Sequence, residues 1–170
     1  MDAPALRTSR LVLRPMAADD AGAVYRYRSD PEVARYQLWH PKDEREVADL
    51  IARMGSLKFN TPDTWFQLAI CLRTSGEVIG DLGLHFLGPD NHETEIGITI
   101  APAHQKHGFA SEALAAVFDY LLGKMRKRRI VAEIDPANKA SIALMKNLGM
   151  KKQANSQKAD AVMYAKTRGE

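Results

Sequence analysis

The 170-residue chain carries a single cysteine, Cys71, which excludes an intramolecular disulfide and every cysteine-based zinc cluster. A reducing compartment suits that scarcity, and the protein is expected to be cytoplasmic. No apolar run approaches the roughly 18 residues that a membrane span needs, and Met1 to Arg10 lacks the basic-then-apolar order of a secretory signal. No repeat, low-complexity tract or Gly/Ser linker divides the chain, so residues 6–168 are expected to form a single domain. Neither sign of charge dominates. The 24 Lys and Arg against 21 Asp and Glu leave +3, which allows an anionic ligand and is too mild to indicate nucleic acid. What is present is a 45% apolar, 26% charged mixture, the make-up of an ordinary globular domain. A chain of this length buries roughly 70% of its unfolded surface and needs neither metal nor disulfide to hold a core.

Apolar periodicity divides the chain into elements. Arg10 to Met16 reads as a strand closed by Pro15, and Asp19 and Asp20 supply capping chemistry for a short helix carrying Val24, Tyr25 and Tyr27 that Asp30-Pro31 ends. A second helix starts at Lys42 or Asp43 and places Val47, Leu50, Ile51, Met54 and Leu57 on one stripe. The period then switches to two. Phe66, Leu68, Ile70 and Leu72 alternate along a strand, Thr74 to Glu77 forms a turn, and Val78 to Phe86 returns. Glu95 to Ile100 is a strand with Ile96, Ile98 and Ile100 on one face and Glu95, Gly97 and Thr99 on the other. Gly108 to Met125 is the strongest helix, followed by a buried strand at Arg129 to Ile134, a helix at Asn138 to Asn147 capped by Gly149, and a last strand at Ala161 to Ala165. A three-strand meander followed by strand-helix-strand crossovers implies a mixed α/β (α+β) sheet with helices on both faces.

The segment that carries chemistry joins the Glu95–Ile100 strand to the long helix: Pro102-Ala-His-Gln105-Lys106-His107-Gly108-Phe109-Ala110-Ser111. A strand that delivers a glycine loop onto a helix N-terminus presents unpaired N–H groups beside the positive end of the helix dipole, which makes an anion site suited to phosphate. Gly108 is where a ligand approaches the backbone most closely. The chain has no G-x-x-x-x-G-K-[ST] and no G-x-G-x-x-G after a strand, so the Walker A and dinucleotide readings fail. It has Gln105-x-x-Gly108-x-Ala110.

On this motif the sequence resembles the GNAT superfamily of N-acetyltransferases. Arg10-Leu-Val-Leu-Arg14, Glu95-Ile-Gly97, Asn138-x-x-Ser141 and Leu148-Gly149-Met150 extend the likeness over nearly the whole chain, and look like the RimJ/RimL-type branch that includes ribosomal-protein-alanine acetyltransferases. The resemblance implies a mostly antiparallel sheet of six to seven strands, acetyl-CoA as cosubstrate, no metal, and acetyl transfer to a primary amine by direct attack in a ternary complex. It implies that Ile98, Thr99 and Ile100 hold the pantetheine arm. Gln105, Lys106, His107, Gly108, Phe109, Ala110 and Ser111 would hold the pyrophosphate, with Asn138 and Ser141 also touching the cofactor.

Alkyl amines are mostly protonated at neutral pH, with a pKa of about 8 for an α-amine and about 10.4 for a lysine side chain, so transfer needs a proton acceptor. Glu95 is the candidate general base; a water relay, or a structural pairing of Glu95 with a basic neighbour such as Arg73, is the alternative. Many family members protonate the leaving thiolate with a tyrosine at the place where this chain has Met145. Ser141 lies one helical turn earlier, and a serine is found at this place in the RimJ/RimL-type branch, which makes it the candidate donor; hydrogen bonding to backbone is its plainer role. Asn138 caps its helix as well.

Other features carry less. His104-x-x-His107 lacks a third ligand, so no metal is expected. The basic run Lys124 to Arg129 places five cations in six positions, and reads as a helix C-terminus in preference to a nucleic-acid contact. His85 and His92 face either substrate or solvent. With no G-x-S-x-G and no histidine partner for Cys71, an acyl-enzyme is not expected. The acceptor cleft falls roughly at Tyr25 to Phe59 and Gly88 to Thr94 on the family pattern, where Trp39 and Trp65 either line it or pack. A non-catalytic acyl-CoA-binding domain is the alternative reading, and both monomer and homodimer remain open.

Overall fold

The computed structural model describes residues 3–170. In chain order the elements are β1 (Leu6–Arg7), β2 (Leu11–Pro15), α1 (Ala21–Arg28), α2 (Pro31–Ala34), α3 (Glu44–Gly55), β3 (Thr64–Leu72), β4 (Val78–Leu87), β5 (Glu93–Ile100), α4 (Phe109–Phe118), β6 (Arg129–Ile134), α5 (Lys139–Asn147), β7 (Lys151–Lys152) and β8 (Val162–Thr167). The strands form one sheet in the order β1-β2-β3-β4-β5-β6-β8-β7. Every neighbouring pair is antiparallel except β5 and β6.

Alternation decides which way this sheet faces. Leu13 lies opposite Ile70, Leu68 opposite Leu82 and Leu82 opposite Ile98, so the apolar set of four strands falls on one side. There α4 buries Ala113, Leu114, Val117 and Phe118, and α5 buries Met145, into a single core. Leu114 is fully buried and contributes roughly 1.5–3 kcal/mol of transfer free energy. The opposite face carries α1 and α3, whose Val24, Tyr27, Val47, Ile51 and Met54 make a second, smaller cluster. Asp81, adjacent to Leu82 in β4, points to that second side. It accepts a 2.6 Å hydrogen bond from the Tyr27 hydroxyl and pairs with Arg28 at 2.5 Å, with both charged side chains buried.

The sheet has eight strands where six to seven were expected, because β1 and β7 are two residues each and too short to show a period. Asp30-Pro31 both ends α1 and begins α2. The Asp30 carboxylate accepts the Glu32 N–H while Pro31 takes the first helical position, a start signal as much as a stop. The long helix is α-helical only to Phe118 and continues as a π-helical turn over Asp119–Lys124. β5 begins two residues earlier than its alternation suggested, and β8 runs on to Thr167. Among the described residues no helix is long and apolar enough to cross a membrane.

Candidate active site

β5 and β6 are hydrogen-bonded only where Glu93, Thr94 and Glu95 face Arg129, Ile130 and Val131. Beyond Glu95 the two strands continue, to Ile100 and Ile134, without pairing. Parallel strands that part in this way leave one edge of β5 without a ladder partner, and a buried edge needs an occupant for its N–H and C=O groups. The gap is a cleft of about 580 Å³, within the range of small-molecule sites. Its walls include Ile96 to Ile100, Ala132 to Asp135, the turn leading into α4, and the face of α5 that carries Ser141 and Met145.

The mouth of the cleft is the loop before α4. Gln105 donates its side-chain N–H to the Ile100 carbonyl at 3.0 Å, tying the loop to the end of β5. Lys106 and Gly108 both adopt positive φ, 63° and 80°, which turns the chain back on itself at the helix start. A glycine carries the second of these turns without strain. The amides of Lys106 to Ser111 find no acceptor among the described residues, and the first bonded amide is Glu112 N–H to the Gly108 carbonyl at 3.1 Å. This is a row of free donors at a helix N-terminus, the arrangement that accepts phosphate.

Two residues outside the motif hold that loop. Arg10 donates to the His107 carbonyl at 2.9 Å and lies over the Phe109 ring at 4.4 Å from its centroid. Glu112 fixes Arg10 in turn, accepting from its side-chain Nε at 2.6 Å and its backbone N–H at 2.8 Å, and from Thr8 and Ser9 hydroxyls. Burial pushes the Glu112 carboxyl up, and these donors outweigh it, holding the group down to about 2. The pairing spans 102 residues and has no local signature in the sequence.

Ile98, Thr99, Ile100, Gln105, Lys106, Gly108, Phe109, Ala110, Ser111, Asn138 and Ser141 all line the cleft. His107 contributes its carbonyl to the loop, and its side chain is not among the lining residues. Asn138 caps α5 by accepting the Ser141 N–H at 3.1 Å. The Ser141 hydroxyl has no hydrogen-bond partner among the described residues, and Met145 lies four residues on, almost fully buried.

Glu95 stands at the apex of the fork, on the face of β5 opposite the main core. It is not among the cleft-lining residues, and its side chain is 12% exposed. One carboxylate oxygen lies 3.2 Å from His85 Nδ1 on β4; the other accepts from Lys158 Nζ at 2.7 Å. The expected alternative partner, Arg73, instead donates to the Thr8 and Ser9 carbonyls, because the hairpin turn directs it to the β1–β2 connection. His85 stacks on Trp65, with ring centroids 4.7 Å apart and 13° between planes, and Trp65 is 41% exposed. Trp39 packs under Arg28. His104 pairs with Glu77 at 3.2 Å.

Three further contributors were not visible in the sequence. Glu133 on β6 lines the cleft and accepts from Ser156 Oγ at 2.5 Å and Gln157 N–H at 2.9 Å, which ties the β7–β8 loop to β6. Lys158 arrives at Glu95 on that loop. From the other side Tyr36, just after α2, reaches the Ala137 carbonyl at 3.4 Å. The basic run is dispersed: Lys127 is buried beneath Phe86 and donates to Asn91, while Arg129 reaches Glu93 and Gln153.

The model of the family described as acetyltransferase (GNAT) domain matches residues 10–151. An uncharacterized N-acetyltransferase, p20 of Bacillus licheniformis, is 34% identical over 149 residues, covering 87% of this chain and 83% of the relative. A GNAT-family acetyltransferase from Bacillus anthracis superposes with a TM-score of 0.86 at 25% identity, over 98% of this chain and 100% of that one. RimL, a ribosomal-protein α-N-acetyltransferase solved in complex with coenzyme A, shares the fold with a TM-score of 0.82 at 18% identity, over 96% of this chain and 98% of its own. The forked strands, the free-amide loop and these matches lead to one conclusion: the chain belongs to the GNAT family and is an acetyl-CoA-dependent acetyltransferase.

Proposed function

We propose that the protein transfers acetyl from acetyl-CoA to a primary amine, a peptide N-terminus or a small-molecule amine, by direct attack in a ternary complex. The observation that carries this reading is the fork itself: β5 and β6 part at Glu95, and the open strand edge leads to the free amides of Lys106 to Ser111. Those amides and the α4 dipole hold the pyrophosphate. The unpaired edge of Ile98, Thr99 and Ile100 receives the amide groups of the pantetheine arm, and Asn138 and Ser141 border it from α5. Acetyl-CoA supplies the activated acyl group as a thioester.

Glu95, at the apex, takes the proton that the acceptor ammonium must lose. General base catalysis of this kind is worth about 10²–10⁴ in rate. Ser141, whose hydroxyl has no other partner among the described residues, protonates the departing thiolate. Similarity of fold to RimL supports placing the chain near the RimJ/RimL-type branch, and the buried, unpaired Cys71 fits a reducing cytoplasm.

Calorimetry with acetyl-CoA, followed by thiol release across a panel of amines, tests the reading. Saturable binding with amine-dependent thiol release is expected. Binding with no release faster than hydrolysis would make the protein an acyl-CoA-binding domain, and no binding at millimolar concentration would overturn both. Gly108→Asp places a carboxylate among the free amides and is expected to abolish binding.

A further inference from the structure

We propose that Lys158 is an intramolecular acetyl acceptor, a self-modification site whose ammonium occupies the place of the acceptor amine. The inference rests on the reading of Glu95 as the general base, and extends it. An acceptor amine has to stand within hydrogen-bond reach of the base that deprotonates it. Lys158 Nζ, a primary amine, stands 2.7 Å from Glu95 Oε1, at the apex of the fork.

The loop that brings Lys158 there is built to hold it. Glu133, a cleft-lining residue, accepts from the Ser156 hydroxyl and the Gln157 amide. With its proton given to Glu133, Ser156 Oγ accepts the Lys158 amide at 3.1 Å. Three successive residues are thereby held beside Glu133 on β6, and the lysine side chain, 43% exposed, spans from the loop to Glu95 on β5. His85 occupies the second carboxylate oxygen, so Oε1, the oxygen available to an incoming ammonium, is the one that Lys158 holds. Gly97, two residues along β5 on the same face as Glu95, lines the cleft and has nothing within 4 Å of where a Cβ would stand. No other lysine of the described residues pairs with a carboxylate at the fork. Lys151 pairs with Glu170 at 2.9 Å at the far edge of the sheet, outside the cleft.

The step balances as follows. The Lys158 ammonium passes one proton to Glu95, and the freed Nζ attacks the thioester carbonyl carbon, forming the N–C bond. The C–S bond breaks and sulfur leaves with the electron pair. Nitrogen releases a second proton as the amide forms, and the thiolate takes up one proton, delivered by Ser141 and replaced from solvent. The products are Nε-acetyl-Lys158 and coenzyme A. Acetylation removes the positive charge that pairs with Glu95, which leaves Oε1 free for an external amine.

The test is incubation of the intact protein with acetyl-CoA and no amine, with site-resolved mass spectrometry over time. Lys158 is expected to gain one acetyl group about tenfold or more faster than Lys151, at a rate independent of protein concentration, as for a reaction within one chain. In Glu95→Gln the Lys158 rate is expected to fall to that of Lys151, and Lys158→Arg removes the modification and leaves the cationic contact. Equal rates at Lys158 and Lys151, or equal Lys158 rates in the wild type and Glu95→Gln, overturn the proposal. Calorimetry and amine-dependent thiol release on the same preparations separate the two levels. If acetyl-CoA binds and amines are acetylated while Lys158 is not, the self-modification alone is wrong; if acetyl-CoA does not bind, the functional reading falls with it.

Discussion

Arg10 and Glu112 form the clasp of the phosphate loop: the Arg10 side chain meets one Glu112 oxygen at 2.6 Å and the Arg10 amide the other at 2.8 Å, while the guanidinium also holds the His107 carbonyl. The clasp joins the β1–β2 turn to the first turn of α4, so it supports both the fold and the shape of the anion site. With its carboxyl held at about 2 against an ordinary 4.5, Glu112 stabilises the folded state at pH values above 4.5, and that contribution is lost as the pH falls from 4.5 towards 2. Glu112→Gln is expected to be less stable than the wild type at neutral pH, and to lose less on acidification. Urea denaturation at about pH 7 and about pH 3 measures it; parallel pH dependences in the two proteins would show that the clasp is not what holds the carboxyl down.

Arg10→Ala removes the donor to the His107 carbonyl and the cover over Phe109. The amides of Lys106 to Ser111 are then less well aligned, and acetyl-CoA affinity is expected to fall by about tenfold, the scale of one charge-assisted hydrogen bond. Calorimetry at fixed ionic strength checks this. An unchanged dissociation constant would mean that the loop keeps its shape without Arg10.

Asp81 carries a different kind of risk, because it is buried with both its partners. Removing it leaves the Arg28 guanidinium uncompensated and the Tyr27 hydroxyl without its acceptor. Asp81→Ala is expected to cost about 3–5 kcal/mol of stability, in line with breaking a buried ion pair from one side. Chemical denaturation of the variant gives the value, and a loss below about 1 kcal/mol, the ceiling for exposed pairs, would show that Arg28 finds water in the variant.

These three predictions rest on contacts of very different visibility in the sequence. The loop from Gln105 to Ser111 was legible because its chemistry is local: a strand ends, a glycine turns the chain, and a helix begins. The apolar alternation of β3, β4 and β5 was legible for the same reason, since period two is set within each strand. Glu95 was singled out on its place beside the motif, yet its partners were not foreseen. Lys158 is 63 residues away in a loop without periodicity, and His85 comes from the neighbouring strand. A splayed strand here is what the family resemblance implies, but the place of the fork at Glu95 was invisible from the residues, because nothing in β5 or β6 marks where parallel pairing stops. Strand register is a property of two segments together.

Gly97 tests whether the open face beside Glu95 receives the acceptor. It lines the cleft, lies opposite Gly83 on β4, and has free space where a side chain would project. Gly97→Val suits a strand and is expected to leave stability within about 0.5 kcal/mol of the wild type or slightly above it. The added methyl groups occupy the approach to Glu95, and kcat/KM for amines is expected to fall by about tenfold or more, a loss of roughly 1.4 kcal/mol in transition-state binding. Thermal melts and amine kinetics on one preparation separate the two effects. A stable variant with wild-type kcat/KM would place the acceptor elsewhere.

Ser141 and Met145 stand one turn apart on the face of α5 that borders the cleft, and only the first has a proton to give. Ser141→Ala keeps the cap, because Asn138 accepts the backbone N–H of residue 141 and not its side chain. The variant is expected to retain stability and acetyl-CoA affinity while kcat falls by about 100-fold, the lower range for a positioned general acid. Met145 is almost fully buried. A tyrosine introduced there would have to force its ring into a packed core, so Met145→Tyr is expected to destabilise by about 1–3 kcal/mol and not to rescue Ser141→Ala. Steady-state kinetics of both single variants and the double variant decide the matter. Recovery of kcat in the double variant would show that position 145 reaches the sulfur after all, and would shift the role of acid from the start of α5 to its middle.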